Sequence, residues 1–128
     1  MLKKTVTYID FDGNERTEDF FFNFTEQEIT QMELSTEGGL SALIARITAA
    51  KSQKELIELF KKLVLAAYGV KSPDGRKFIK SDAIREDFES TQAFSDIYME
   101  LVTDADKASD FFKAVVPKEK KAVLNVAK

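Results

Sequence analysis

The chain has no cysteine and no histidine among its 128 residues. Without cysteine there is no disulfide, no thiolate nucleophile and no thiolate zinc site. Without histidine the commonest general base and the commonest transition-metal ligand are gone. Carboxylate-only or lysine-based catalysis is left open, but no sequence feature favours it. The chain therefore reads as a protein that is not an enzyme and takes no cofactor and no metal. Also missing is any run near the roughly 18 apolar residues that a membrane span requires. The opening Met1-Leu2-Lys3-Lys4 is basic, but Thr5, Thr7 and Asp10 interrupt any signal core behind it. A large excess of one charge is absent too. The formal net charge of -3 is too mild for a nucleic-acid binder, whose domains are usually strongly basic. These absences predict an intracellular protein with no nucleic-acid or membrane partner.

What is present is enough apolar material for one core. Hydrophobic residues make up 44% of the chain and charged ones 32%, which suits one domain with a solvated surface. The composition shifts after Pro117, where Lys118, Lys120, Lys121 and Lys128 face a single Glu119. The expected organisation is a single domain over 1–117 and a flexible basic tail over 118–128.

Thr5 to Phe11 reads as a strand, Asp12-Gly13-Asn14 as a tight turn, and Thr17 to Phe24 as the returning strand. Val6 and Tyr8 fall on one face, Ile9 and Phe11 on the other, so a bulge is expected between Tyr8 and Ile9. In the second strand Phe20, Phe22 and Phe24 share a face and Phe21 points the opposite way. An isolated hairpin is marginal in water, so this aromatic row must pack on helices or on another chain.

The rest reads as helical. Thr25 and Glu28 form a capping box, and Phe24 with Ile29 forms a hydrophobic staple; Gly38-Gly39 ends that helix. Leu40 to Ala50 carries one apolar stripe through Leu40, Leu43, Ile44 and Ile47. Ser52 and Glu55 repeat the capping spacing before a central helix over Gln53 to Tyr68, with Gly69 as its stop. Its stripe is Leu56, Phe60, Leu63, Val64 and Ala67, widened by Ile57, Leu59 and Leu65. Ser72 to Gly75 is a surface turn, followed by a short extended piece at Phe78 and Ile79. Ser81 or Asp82 caps a helix with Ile84 and Phe88 inward. After a break near Ser90-Thr91, Phe94, Ile97, Tyr98 and Leu101 continue a stripe. Thr103 and Asp106 have capping spacing for a last helix that carries Ala108, Phe111, Phe112 and Val115. The fold expected is α+β and mostly helical: an N-terminal hairpin, then a compact bundle of five to six helices.

The chemistry-like clusters have ordinary explanations. Counted from Asp10, a calcium loop would need glycine at Glu15 and glutamate at Phe21, so the acidic hairpin tip reads as a turn. Asp104, Asp106 and Asp110 suit a helix start, where the macrodipole favours acids. Ser72 to Lys77 lacks phosphate-loop spacing. The open question is the aromatic residues, which serve either core packing or docking. Phe20, Phe21 and Phe22 with Phe111, Phe112, Val115 and Val116 are the candidates for partner binding or self-association, because each set covers more than one face of its element.

Three segments carry a family resemblance: Thr5 to Arg16 with the phenylalanine strand and Met32 to Leu40; Ala67-Tyr68-Gly69 with Ser72 to Phe78; and Ala93 to Asp96 with Met99-Glu100-Leu101 and Thr103-Asp104-Ala105. From Thr5 to Pro117 the chain resembles the tail assembly chaperones of long-tailed bacteriophages. That resemblance implies a non-catalytic protein of the host cytoplasm, absent from the mature virion. It would bind the tape measure protein, keep it soluble and help recruit tail-tube subunits. It also implies a homo-oligomer and a longer form made by ribosomal frameshifting, for which codons at Lys120-Lys121 would supply the slippery run. A small virion subunit of the head-to-tail connector type is the alternative.

Overall fold

The computed structural model describes residues 1–35 and 53–116. Alternation in the first two segments produces an antiparallel hairpin of β1 (Leu2–Ile9) and β2 (Glu15–Phe22). Its register runs without interruption from Leu2↔Phe22 to Ile9↔Glu15, so there is no bulge at Tyr8–Ile9. The alternation simply continues, and Ile9 faces outward with 54% of its surface exposed. The strands also start and end two or three residues earlier than the sequence suggests, because Asp10 organises the turn. Its carboxylate accepts the backbone N–H groups of Asp12 (3.0 Å) and Asn14 (2.9 Å) and the Arg16 Nε–H (2.6 Å). Gly13 takes the positive φ of 85°, which costs glycine nothing.

The hairpin grows into a four-stranded sheet in the order β1-β2-β3-β4, which the sequence reading misses. The central helix ends at Ala67, and Tyr68–Lys71 form β3, paired to β2 through Phe22↔Tyr68 and Phe21↔Gly69. Phe78–Ile79 form β4 beside β3. Gly69 therefore sits inside a strand rather than just beyond a helix. A Cβ there would lie 2.6 Å from the Phe78 ring, so the missing side chain lets that ring close over the backbone.

Five helices are described: α1 (Glu26–Ser35), α2 (Gln53–Ala67), α3 (Asp82–Glu89), α4 (Gln92–Thr103) and α5 (Ala105–Val115). The Thr25–Glu28 capping box forms at the head of α1, with Thr25 N–H donating to Glu28 at 2.9 Å and Glu28 N–H to Thr25 Oγ1 at 3.3 Å. Ser81 and Thr91 cap α3 and α4. The last cap is Asp104, not Thr103: its carboxylate accepts from Asp106 and Lys107 N–H, while the Thr103 hydroxyl donates back to the Met99 carbonyl. The Leu40–Ala50 stripe, the Gly38-Gly39 break, the Ser52 cap and the tail over 118–128 lie outside the described residues.

The α+β, mostly helical architecture places helices on one face of the sheet. Phe20, Phe22 and Tyr8 meet Tyr68, Phe88 and Phe111 there. Tyr68 stacks on Phe88 at 4.0 Å between ring centroids, and Phe22 meets Phe111 edge-on at 5.3 Å, both favourable aromatic arrangements. Phe60, Leu63, Val64 and Ala67 of α2 are buried as their stripe predicts. The chain closes on itself where Val115 at the end of α5 accepts the Phe24 N–H at 3.0 Å.

Candidate functional site

Phe20, Phe22, Phe111, Phe112 and Val115 are buried, and all five belong to one core cluster. Phe22 and Val115 have no exposed surface at all. In the folded chain these five pack against each other and against their neighbours. Val116 is half-buried against the same core. Phe21 alone of the phenylalanine run keeps accessible surface on the opposite side of the sheet.

The alternation and register define that outer face. It consists of Lys3, Thr5, Thr7 and Ile9 from β1, Glu15, Thr17, Asp19 and Phe21 from β2, Gly69 and Lys71 from β3, and Phe78 from β4. Its middle is a polar ladder. The Thr5 hydroxyl donates to Asp19 at 2.6 Å, and the Thr7 and Thr17 hydroxyls meet at 2.9 Å. Its ends are apolar. At one end the Lys71 ammonium sits 5.0 Å from the centroid of Phe21, Lys3 is the cross-strand partner of Phe21, and the Phe78 ring lies over Gly69. At the other end stand Ile9 and the hairpin tip, where Phe11 is 78% exposed. Sequence reasoning passed over Ile9 and Phe11 as docking residues. The signal was there: odd positions of β1 face away from Val6 and Tyr8, which puts Ile9 outside, and Phe11 follows in the hairpin turn.

Lys80 anchors the Phe21–Phe78 end. Its ammonium donates to Glu28 at 2.6 Å and to the Asn23 carbonyl at 2.8 Å, and lies 4.9 Å from the Phe24 centroid. Burial pulls its pKa below the ordinary lysine value, against the opposing pull of Glu28. This clamp joins the segment after β4 to the start of α1. Asp10 holds the opposite end, its carboxyl depressed by the Arg16 hydrogen bond and by the Asn14 and Asp12 N–H groups.

A shallow cleft of about 260 Å³ lies between β1, α4 and α5, with Leu2, Leu101, Phe111 and Ala114 among its lining residues. Among its charges, Glu100 bridges Lys4 at 3.3 Å and Lys107 at 3.7 Å. Among the described residues no buried side-chain polar atom lacks a partner, and no group of three or more His, Cys, Asp or Glu could hold a metal. No described helix is long and apolar enough to cross a membrane. The arrangement is suited to surface contact, with aromatic side chains presented on a rigid sheet.

A family model described as phage tail assembly chaperone matches residues 1–126. No curated protein and no solved structure matches the chain.

Proposed function

The chain belongs to the phage tail assembly chaperone family, and from that premise we propose that it binds the tape measure protein without catalysing any reaction. In this reading it keeps that long helical partner in solution until tail-tube subunits are recruited around it. It acts in the host bacterial cytoplasm during assembly and leaves before the particle is complete. The family match across nearly the whole chain is the observation that carries the reading.

The outer sheet face supplies a fitting surface. A long amphipathic helix exposes an apolar stripe that aggregates unless covered. Phe21 and Phe78 at one end of the face, and Ile9 with the exposed Phe11 of the hairpin tip at the other, offer apolar anchors for a partner. Lys3 and Lys71 beside Phe21 favour acidic residues flanking the stripe. Many copies, each held weakly and associating with one another, would coat the partner by avidity and still be displaced by the polymerising tube.

Co-expression with the tape measure protein tests this. The expected result is that the partner becomes soluble only when this chain is present and that several copies co-purify with it. An equally insoluble partner with no co-purification would overturn the reading.

A further inference from the structure

The two edges of the sheet differ. β4 is two residues long, and so short an edge recruits little. β1 is eight residues long, pairs with β2 along its whole length without a bulge, and contains no proline. Among the described residues no strand covers its other side. Shortness, bulges and proline are three of the protections of an edge, and β1 has none of these three; its remaining protection is charge. Its charges are two lysines at one end. Lys4 is turned to the inner face and matched by Glu100 within its own chain, whereas Lys3 is exposed on the outer face.

We propose that the β1 edge takes the β1 edge of a second copy of this chain, antiparallel about a two-fold axis at Thr5, joining two four-stranded sheets into one of eight strands. Strand overlap and charge together select this geometry: centring on Thr5 pairs β1 over residues 2–8, whereas centring on Thr7 pairs it only over residues 5–9. A parallel pairing would set Lys3 on Lys3 and Lys4 on Lys4, and like charges directly opposite are unfavourable. Directly opposed residues must share a face, so an antiparallel two-fold pair has one residue facing its own mate. Centring on Lys4 opposes two lysines. Centring on Val6 puts Lys4 opposite the mate's Tyr8, whose cross-strand partner is Arg16. Centring on Thr5 puts Leu2 opposite Tyr8, Lys3 opposite Thr7, and Lys4 opposite Val6. The next residue along the Lys4 row is then Glu18 of the mate. Each copy's lysine end thus runs toward the acidic stretch of the other, and the relation holds in both directions. Both outer faces would then lie on the same side of the joined sheet, which doubles the docking face.

The inference deepens the self-association included in the proposed function and rests on it. The chain has no cysteine, so a single introduced thiol reports without background. Opposed residues in antiparallel strands have Cα atoms about 4.5–5.5 Å apart, inside the 4.4–6.8 Å range of a disulfide. With no second protein present, the unmodified chain should sediment as a dimer or larger. Thr5→Cys should oxidise chiefly to a cross-linked dimer, Lys3→Cys alone should not, and Lys3→Cys mixed with Thr7→Cys should. As a second variant, Thr5→Lys should weaken association about fivefold by opposing two lysines at the axis, while Thr30→Lys at an exposed position of α1 should leave it unchanged. A chain that self-associates while Thr5→Cys stays uncross-linked would overturn the edge pairing and leave self-association standing. A strictly monomeric chain would overturn both.

Discussion

Two neighbouring phenylalanines should respond to truncation in opposite ways. Phe22 is fully buried, with Tyr68, Phe88 and Phe111 rings at 5.8, 5.8 and 5.3 Å. Replacing such a residue by alanine removes its transfer free energy and leaves a cavity, together about 3–5 kcal/mol. Domains of this kind are stable by about 5–15 kcal/mol, so Phe22→Ala should consume about a fifth or more of the total. At an m-value of about 2 kcal/mol/M, the urea midpoint falls by about 2 M. Phe21 lies outside the core cluster of the described residues and keeps exposed surface. Phe21→Ala loses part of a ring's burial and the Lys71 cation–π contact, about 1 kcal/mol, which shifts the midpoint by roughly 0.5 M. In partner binding the order reverses, because only Phe21 lies on the docking face. Urea unfolding followed by circular dichroism measures the first pair of values. A Phe21→Ala shift as large as that of Phe22→Ala would show that the outer face is covered, and the assignment of faces would fail.

Other consequences are equally direct. Phe11→Ser at the hairpin tip should leave the urea midpoint within error, since the ring is 78% exposed, yet reduce co-purification of the tape measure protein. Gly69→Ala forces the Phe78 ring aside from a 2.6 Å approach and should cost about 1–2 kcal/mol in the same unfolding assay. Asp10 has a depressed carboxyl, so its contribution is complete above the ordinary carboxylate range and fades as pH falls below about 4. Asp10→Asn should therefore flatten the loss of stability between pH 5 and pH 2, as read from thermal melts across that range. Quantitative mass spectrometry of purified particles should find the tape measure protein and not this chain; one or more copies per tail would favour the connector alternative.

Much of the fold could be read locally. The capping box at Thr25–Glu28, the Ser81 cap, the break before α4 and the α2 stripe are decided by residues within one turn of each other. The third and fourth strands could not be read this way. Tyr68–Lys71 is only four residues long, and it is extended because Phe21 and Phe22 are there to pair with it, a contact more than forty residues distant in sequence. The same long-range pairing explains Gly69, whose role depends on Phe78 rather than on the helix before it. At the candidate site, parity along the strands separates Phe21 from Phe20 and Phe22 correctly. The burial of Phe111 and Phe112 together was not legible, because a single helix pattern does not reveal that α5 is enclosed on two sides: Phe111 meets Phe22, while Phe112 meets Phe60.

In the proposed function the outer sheet face holds the tape measure protein. The most direct test of this is a binding titration of that protein's helical segments with purified chain, comparing the unmodified form with a folded Phe11→Ser, Phe21→Ser double variant. The first should bind saturably and the second at least about tenfold more weakly, as expected when two aromatic anchors of an interface are removed. Equal binding by both forms, at equal stability, would contradict it.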